Sequence, residues 1–208
     1  MTQRIPVVEK ILSANDRLAE QNRARLDAAR ALGINVLASP GAGKTSLIIR
    51  TIQALSPQLK IAVIEGDTAP VTIDADKVSA AGAAAVQVNT GGECHLDAVM
   101  VANAFNALTL DGLDLLIVEN VGNLICPAAF ALGTHLNVLV ASVPEGADKP
   151  YKYPGIYRGL DALILNKIDL LPYVDFDLDY FRRGVEILNP GLSFFPLSCR
   201  TGEGVEAW

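Results

Sequence analysis

The sequence predicts an α/β fold in which helices flank a mostly parallel, doubly wound sheet. Three observations support this fold class. Strand and helix patterns alternate from Ile34 onward, several strand segments are apolar at every position, and a glycine-containing loop at residues 39–45 connects the first strand to a helix. Continuous apolar strands are typical of a parallel sheet that is covered on both faces. We therefore expect ligands to bind beyond the carboxyl ends of the strands.

A long amphipathic helix is predicted before this sheet, over residues 6–32. Apolar residues recur there at helical spacing, with Arg, Glu and Asp between them. We expect Gly33 to end the helix, because glycine commonly follows the last helical turn. The chain is accordingly divided into an N-terminal helical extension at residues 1–33 and an α/β domain at residues 34–208.

Seven strands and four further helices are predicted in the α/β domain. The strands span residues 34–38, 61–65, 84–88, 115–119, 136–141, 162–166 and 193–196. The helices span residues 44–55, 74–81, 95–108 and 177–188. The sequence ends at Trp208, where the alternation would begin another helix, so a truncated C-terminus is one expectation.

Composition excludes several classes of function. The chain has 208 residues, which suffices for a substantial core, and its net charge is −6. This acidic balance argues against nucleic-acid binding, which needs clustered Lys and Arg. We expect no membrane span, since none of the apolar stretches reaches roughly 18 residues, and no signal peptide. Three cysteines cannot all pair within one chain. A cytoplasmic protein with reduced thiols is expected.

Residues 39–45, Ser-Pro-Gly-Ala-Gly-Lys-Thr, have the composition of a phosphate-binding P-loop. Small residues let backbone N–H groups face an anion at the start of the next helix. Lys44 would reach the β and γ phosphates, and Thr45 would offer its hydroxyl to Mg²⁺. The usual motif begins with glycine, whereas Ala38 stands in that place. This loop predicts a P-loop NTPase, with nucleotide-binding residues Gly41, Ala42, Gly43, Lys44, Thr45 and Ser46.

Asn166-Lys167-Ile168-Asp169 follows the sixth predicted strand and has the pattern that recognises guanine. Asp169 would accept hydrogen bonds from the N1–H and 2-amino groups, Asn166 would lie near the six-position oxygen, and the Lys167 stem would cover one ring face. Adenine lacks this donor pair, and a buried carboxylate left unpaired is costly. GTP is therefore the expected nucleotide. A second base-binding loop is expected at Ser198, Cys199 and Arg200, although Cys199 could instead serve only packing.

Several carboxylates are placed to hold Mg²⁺ or to orient water for phosphoryl transfer. Glu119 ends a buried strand, and Gly122 nearby would let the γ-phosphate approach the backbone. Asp67 or Asp74 could contact Mg²⁺ or orient the attacking water, and Asp74 could instead be a simple N-cap. The predicted catalytic residues are Lys44, Asp67, Asp74 and Glu119. The predicted Mg²⁺ ligands are Thr45, Asp67 and Glu119.

Cysteine and histidine occur together at one point of the sequence. Cys94 and His95 are adjacent at a loop–helix junction, and Cys126 follows the Glu119 loop. Thiolate and imidazole suit Ni²⁺ and Zn²⁺. Three ligands do not close a tetrahedral site, but a symmetric dimer could complete it. Spacing alone also allows these cysteines to be small buried hydrophobes.

The chain resembles the HypB family of nickel-incorporation GTPases from about residue 34 to its end. The resemblance rests on the loops given above and on the stretches Ile-Glu-Gly-Asp at 64–67, Gly-Glu-Cys-His-Leu-Asp-Ala at 92–98, Glu-Asn-Val-Gly-Asn-Leu-Ile-Cys-Pro at 119–127, Glu-Gly-Ala-Asp-Lys-Pro at 145–150, Lys-Tyr-Pro at 152–154 and 198–204. The stretches around Cys94 and Cys126 are the most specific.

That resemblance implies hydrolysis of GTP to GDP, a homodimer when GTP is bound, and an interfacial Ni²⁺ or Zn²⁺ site whose ligands match Cys94, His95 and Cys126. It also implies nickel delivery to a hydrogenase large subunit with a HypA-like nickel chaperone, for which the N-terminal helix is a candidate surface. Lys149 lies in a segment that reaches the nucleotide in related dimers, unless it is a solvated loop charge. No Cys or His precedes Cys94, so the N-terminal nickel motif of some members has no counterpart here.

Three other functions compete with this one. UreG, the urease nickel GTPase, has a similar architecture, but its metal motif is Cys-Pro-His, whereas Cys94 and His95 are adjacent. Partitioning or cluster-scaffold ATPases carry a second lysine in the phosphate loop, where Ser39 stands here. A metal store with a vestigial nucleotide site is disfavoured by the presence of Lys44, Thr45 and Glu119. The choice between nickel and zinc stays open.

Overall fold

The computed structural model of the chain describes residues 7–68 and 73–208, and in these residues seven strands form one sheet. The strands are β1 (Leu32–Ala38), β2 (Ile61–Asp67), β3 (Ala84–Asn89), β4 (Leu115–Glu119), β5 (Leu136–Ser142), β6 (Ala162–Asn166) and β7 (Ser193–Pro196). Their order is β3-β2-β4-β1-β5-β6-β7, and every neighbouring pair is parallel. The prediction of a doubly wound sheet is confirmed.

The described helices connect these strands. They are α1 (Val7–Ala29), α2 (Lys44–Leu55), α3 (Ile73–Ala80), α4 (Ala98–Phe105), α5 (Lys149–Lys152), α6 (Pro154–Arg158) and α7 (Leu178–Leu188), with short 3₁₀ turns at Cys126–Ala129, Val143–Glu145, Ile168–Tyr173 and Val205–Ala207. Sequence periodicity missed α5 and α6, because each is little more than one turn long. No described helix has both the length and the apolar composition needed to cross a membrane.

Alternate residues of the central strands pack on opposite faces of the sheet, as the pleat requires. Val36 of β1 and Ile117 of β4 belong to the cluster that α2 covers. On the other face, Leu116 and Val118 of β4 pack with α1 and α4, and Leu139 of β5 packs with α6 and α7. The sheet is therefore buried on both faces, which explains its apolar strands.

The N-terminal helix ends three residues earlier than predicted, at Ala29. Ala31 N–H donates to the carbonyl of Leu26 at 3.0 Å, and Arg30 N–H donates to that of Asp27 at 3.1 Å. Arg30 has φ 58°. This is a Schellman ending with arginine in the left-handed position that glycine usually takes. The prediction that Gly33 ends the helix was wrong, because Arg30 already does so.

Gly33 lies inside β1 instead, where it lets α1 approach the sheet. A Cβ at this position would lie 2.7 Å from Cδ1 of Leu26, which is fully buried. The N–H of Gly33 donates to Nδ1 of His135 at 2.8 Å. Burying a leucine contributes about 1.5–3 kcal/mol, so the glycine permits a packing contact that favours the docked helix.

The start of α4 also differs from the prediction, and the difference matters for the metal ligands. The helix begins at Ala98 rather than His95, because the Asp97 side chain caps it by accepting a hydrogen bond from Met100 N at 2.8 Å. Cys94 and His95 therefore lie in the preceding loop. Asp74 is not an N-cap, because α3 already begins at Ile73.

Candidate nucleotide-binding and metal site

The loop before α2 lines a cleft of about 520 Å³ at the carboxyl ends of β1, β2 and β4. We call it the phosphate cleft. Its lining includes the predicted residues Gly41, Gly43, Lys44, Thr45, Ser46, Asp67, Asp74, Glu119 and Gly122. The cleft lies where an open parallel sheet is expected to bind its ligand. The structure thus brings together residues that are up to 81 positions apart in the sequence, from Gly41 to Gly122.

Thr45 and Glu119 connect the two sides of the phosphate cleft. The Thr45 hydroxyl donates to Oε1 of Glu119 at 2.8 Å. Burial lowers the pKa of Lys44, and the Coulombic attraction of Glu119 opposes that shift. Burial raises the pKa of Glu119, while Lys44 and the Thr45 hydrogen bond oppose the rise. The cleft is therefore poorly solvated. The low effective dielectric there would strengthen the charge interactions that phosphate oxygens make with the protein.

Glu65 is an acidic residue of this cleft to which sequence reasoning gave no role. It lies directly beside Glu119 in the register of β2 and β4, and it is only 5% exposed. Burial, reinforced by the neighbouring Glu119, raises the pKa of Glu65 to about 7. A single carboxylate at the end of the apolar run 61–64 was the available clue.

The donor set of the phosphate cleft fits Mg²⁺. Oε2 of Glu65 and Oε2 of Glu119 are buried and have no hydrogen-bond partner among the described residues. Unpartnered buried carboxylate oxygens are costly, and Mg²⁺ prefers oxygen ligands. A divalent cation held by Glu119 and the Thr45 hydroxyl would satisfy this need.

Asp67 and Asp74, the two candidates for orienting the attacking water, both line the phosphate cleft. Asp74 Oδ1 accepts from Nζ of Lys77 at 2.6 Å within α3. Asp67 closes β2, and its carbonyl accepts from Thr90 N at 2.9 Å.

A second cleft of about 340 Å³ adjoins the first, and we call it the base cleft. It shares Gly43 and Ser46 with the phosphate cleft, and its other lining residues include Asn166, Lys167, Asp169, Ser198, Cys199 and Arg200. Asp169 Oδ1 accepts from the Ser198 hydroxyl at 2.6 Å. The two loops that follow β6 and β7 therefore meet around the carboxylate predicted to recognise guanine.

Asn166 joins the phosphate cleft to the base cleft. Its Nδ2 donates to the carbonyl of Ala42 at 3.0 Å, and its Oδ1 accepts from Cys199 N at 3.1 Å. A Cβ on Gly43 would lie 2.3 Å from Nδ2 of Asn166, and Gly43 has φ +106°. Lys167 Nζ also donates to the carbonyl of Gly41 at 2.7 Å. Because Asn166 is engaged on both sides, it holds three loops together beside the base cleft.

Cys199 and Lys149 complete the predicted nucleotide residues. Cys199 is buried in the core cluster beneath α2, and burial raises the pKa of its thiol. Its backbone N–H, rather than its sulfur, faces the base loops. Lys149 lies outside the lining of both clefts and has its Nζ 5.8 Å from the ring centroid of Tyr153.

The three predicted metal ligands meet in one chain. One ligand atom from each of Cys94, His95 and Cys126 lies within 4.8 Å of the other two. We call these three residues the metal trio. A hydrogen bond with Cys126 is the main reason that the pKa of the Cys94 thiol lies above its ordinary value. The His95 ring lies 4.0 Å from that of Phe130. Two thiols and an imidazole suit Ni²⁺ or Zn²⁺, and a tetrahedral ion would keep one open position.

Leu96 connects the metal trio to the phosphate cleft. Its N–H donates to Oδ1 of Asn120 at 3.0 Å, and Asn120 immediately follows Glu119. Leu96 also packs against Gly66, where an added Cβ would lie 2.6 Å from Cγ of Leu96. Leu96 therefore contacts the carboxyl ends of β2 and β4, the two strands that carry Glu65 and Glu119.

The fold and the two clefts define a P-loop nucleotide-binding protein with the loops of a GTPase. A family model described as the CobW/HypB/UreG nucleotide-binding domain matches residues 33–196. The chain is 46% identical over 198 residues to the hydrogenase maturation factor HypB of Escherichia coli strain K12, covering 95% of this chain and 68% of that protein. The chain belongs to the HypB family of hydrogenase maturation factors.

Two solved structures share its fold closely. HypB of Archaeoglobus fulgidus has a TM-score of 0.88 at 37% identity, covering 94% of this chain and 95% of that chain. HypB of Helicobacter pylori, solved in complex with nickel, has a TM-score of 0.88 at 34% identity, covering 93% of this chain and 91% of that chain. Both the predicted fold and the predicted family are confirmed.

Proposed function

We propose that this chain hydrolyses GTP to GDP and phosphate, and that it carries nickel in a metal site whose occupancy depends on the nucleotide. Its role would be delivery of that nickel during NiFe-hydrogenase maturation. The observation that carries this proposal is the convergence of the metal trio within 4.8 Å. The loop of Cys94 and His95 is joined through Leu96 to the phosphate cleft. A nickel-bound relative of the same fold supports nickel as the cargo.

Several residues of the phosphate cleft have a proposed role in phosphoryl transfer. Lys44 would contact the β and γ phosphates, while Thr45 and Glu119 would hold Mg²⁺, with Asp67 as a further ligand. Mg²⁺ supplies neutralisation of phosphate charge. Asp67 or Asp74 orients the attacking water. Asp169 accepts from guanine, and the Lys167 stem covers the ring.

The metal trio would be completed by a second copy of the chain. Three ligands leave a tetrahedral ion one open position, and a twofold axis would bring a second set of thiols and imidazoles to it. GTP binding is proposed to favour that homodimer, in which Lys149 would reach the nucleotide environment. The exposed face of α1 is the proposed surface for a HypA-like chaperone, and the hydrogenase large subunit is the proposed recipient.

Nickel titration of Cys126→Ala tests this function. Loss of one thiolate should weaken nickel binding by at least about 100-fold, because removal of even an outer partner costs 10–100-fold. Cys199→Ala, compared in the titration without nucleotide, is the control, since Cys199 lies in the core cluster that α2 covers and is not one of the metal trio. Titrations are run with and without a non-hydrolysable GTP analogue. Full nickel stoichiometry in Cys126→Ala with unchanged affinity would exclude the metal trio as the cargo site.

A further inference from the structure

We propose that α1 positions the two ligand-bearing segments of the metal trio through Asn15 and Asn22. The inference rests on the proposed nickel function and adds to it the element that sets the geometry of the site. Both side chains lie on α1, remote in sequence from Cys94 and from Cys126, and both are buried. They are positioning residues, because they act on the metal through the backbone of other residues.

Asn15 contacts both segments at once. Its Oδ1 accepts from Ala98 N at 2.9 Å, and its Nδ2 donates to the carbonyl of Ala131 at 2.8 Å. The side chain therefore spans the start of α4 and the loop that follows the 3₁₀ turn of Cys126. A buried amide with both its donor and its acceptor engaged fixes the separation of the two groups that it bridges.

Asn22 repeats this bridge two helical turns later on the same face of α1. Its Nδ2 donates to the carbonyl of Ala98 at 2.9 Å and to that of Leu132 at 3.0 Å. Asn22 is only 1% exposed. Together the two asparagines hold both backbone polar groups of Ala98 and two successive carbonyls of the opposite loop.

The residues that α1 contacts, Ala98 and Ala131, belong to the two segments that carry the metal ligands. Ala98 follows His95 after only Leu96 and Asp97. Ala131 follows Phe130, whose ring lies 4.0 Å from the His95 ring. Cys94 and Cys126 come from separate segments, so their sulfurs meet only if Ala98 and Ala131 keep their spacing. A shift of a few tenths of an ångström is large for a metal site, whose bond lengths hold within about 0.2 Å.

The central test compares Asn22→Ala with Asn189→Ala. Asn189 is a matched control, because its Nδ2 also donates to two carbonyls, those of Tyr157 at 3.2 Å and Leu160 at 2.8 Å, but it does so beside α6 and α7. Nickel affinity is measured by competition with a chelator. Asn22→Ala should bind nickel about 10–100-fold more weakly, as for loss of an outer partner. Asn189→Ala should bind it like the wild type.

A metal-free measurement separates positioning from general stability. A short bifunctional thiol reagent, fluorescent only after both arms react, would bridge Cys94 and Cys126, while Cys199 is buried. Asn22→Ala should be bridged about tenfold more slowly than the wild type and Asn189→Ala, in line with the expected loss of affinity. Affinity for a GTP analogue should be unchanged in both variants, because neither residue lines the phosphate or base cleft.

Asn15→Ala covers the case in which Asn22→Ala does not fold. Alanine removes the bridge between Ala98 N and the Ala131 carbonyl but leaves both Asn22 hydrogen bonds in place, so a smaller loss of nickel affinity is expected, about three- to tenfold. The proposal is overturned if the folded variants match Asn189→Ala in nickel affinity and in bridging rate. Failure of the nickel function looks different: wild type and Cys126→Ala would then bind nickel equally poorly, while slower bridging in Asn22→Ala would still support the positioning by α1.

Discussion

The nucleotide clefts and the metal trio both lie at the carboxyl ends of the strands, but they are built in different ways. The clefts are formed by loops that follow buried parallel strands and that hold one another through side chains such as Asn166 and Thr45. The metal trio depends on two loops that approach each other from different strands, with α1 hydrogen-bonded to both. The comparison teaches that a site made from strand ends is set by the sheet, whereas a site between loops needs a separate support.

The two regions are nevertheless connected, because Leu96 donates its N–H to Asn120 next to Glu119. A change in the position of the Glu119 loop would therefore be transmitted to the residue after His95. Changes on the nucleotide side can be used to show how independent the two regions are.

The largest effect is expected for Lys44→Ala. Removing a buried cation that lines the phosphate cleft should cost about 4 kcal/mol of nucleotide binding. Nucleotide-dependent dimerisation should disappear, which sedimentation with and without a GTP analogue checks. Nickel binding should match that of the nucleotide-free wild type, because only the nucleotide-dependent part of the occupancy is lost. Loss of that nickel binding together with the nucleotide would show that the two regions are one cooperative unit.

A smaller effect is expected for Asp169→Asn. Guanine would lose the acceptor for its N1–H and 2-amino groups, so GTP should bind about 3 kcal/mol more weakly. Preference should shift towards the xanthine nucleotide, whose two-position carbonyl can accept from the new amide. Calorimetry with both nucleotides measures the shift. A variant of Ser198 supplies a comparison, because the Ser198 hydroxyl donates a hydrogen bond to the Asp169 carboxylate. Unchanged GTP affinity would remove Asp169 from base recognition.

The smallest effect is expected for Glu65→Gln, and it is measured as the free energy of unfolding at different pH values. The folded pKa of Glu65 is raised from 4.5 to about 7, so the folded state binds the proton more tightly than the unfolded state. Wild-type stability without metal should therefore fall as pH rises from about 4.5 through 7, and Glu65 should contribute its full destabilisation only above that window. The variant should be about 2 kcal/mol more stable than wild type near pH 8.

At about pH 4.5 or below, the same pair should have nearly equal stability, because Glu65 is then protonated in both states. Urea denaturation of the metal-free proteins at the two pH values gives the comparison. Equal stability at both values would show that the Glu65 carboxylate is destabilised neither by burial nor by its neighbour Glu119 in the fold.

Much of the nucleotide side could be predicted from the sequence. The P-loop at residues 39–45 and the residues after β6 follow apolar strands, so local patterns place them at the same edge of the sheet. The metal trio needed the tertiary structure, since Cys94 and Cys126 are far apart in the chain and spacing left buried thiols as an alternative. The resemblance to HypB favoured a nickel or zinc site over buried thiols, and the structure brought the ligand atoms together.

Some residues escaped sequence reasoning because their partners are backbone groups. Asn15 and Asn22 look like ordinary polar positions of an amphipathic helix, and only the packed structure shows them buried against Ala98. Arg30 was overlooked as the end of α1, because its left-handed conformation is one that arginine rarely takes.

The sequence by itself determined the alternation of strands and helices, the phosphate loop and the residue types offered to guanine, Mg²⁺ and nickel. These follow from local hydrophobic periodicity and from short motifs, which act over a few residues. Only the tertiary structure decided that Glu65 lies beside Glu119, that Asn166 links three loops, and that α1 holds both segments of the metal trio. Such contacts arise from strand register and helix docking, which join residues that no local pattern relates.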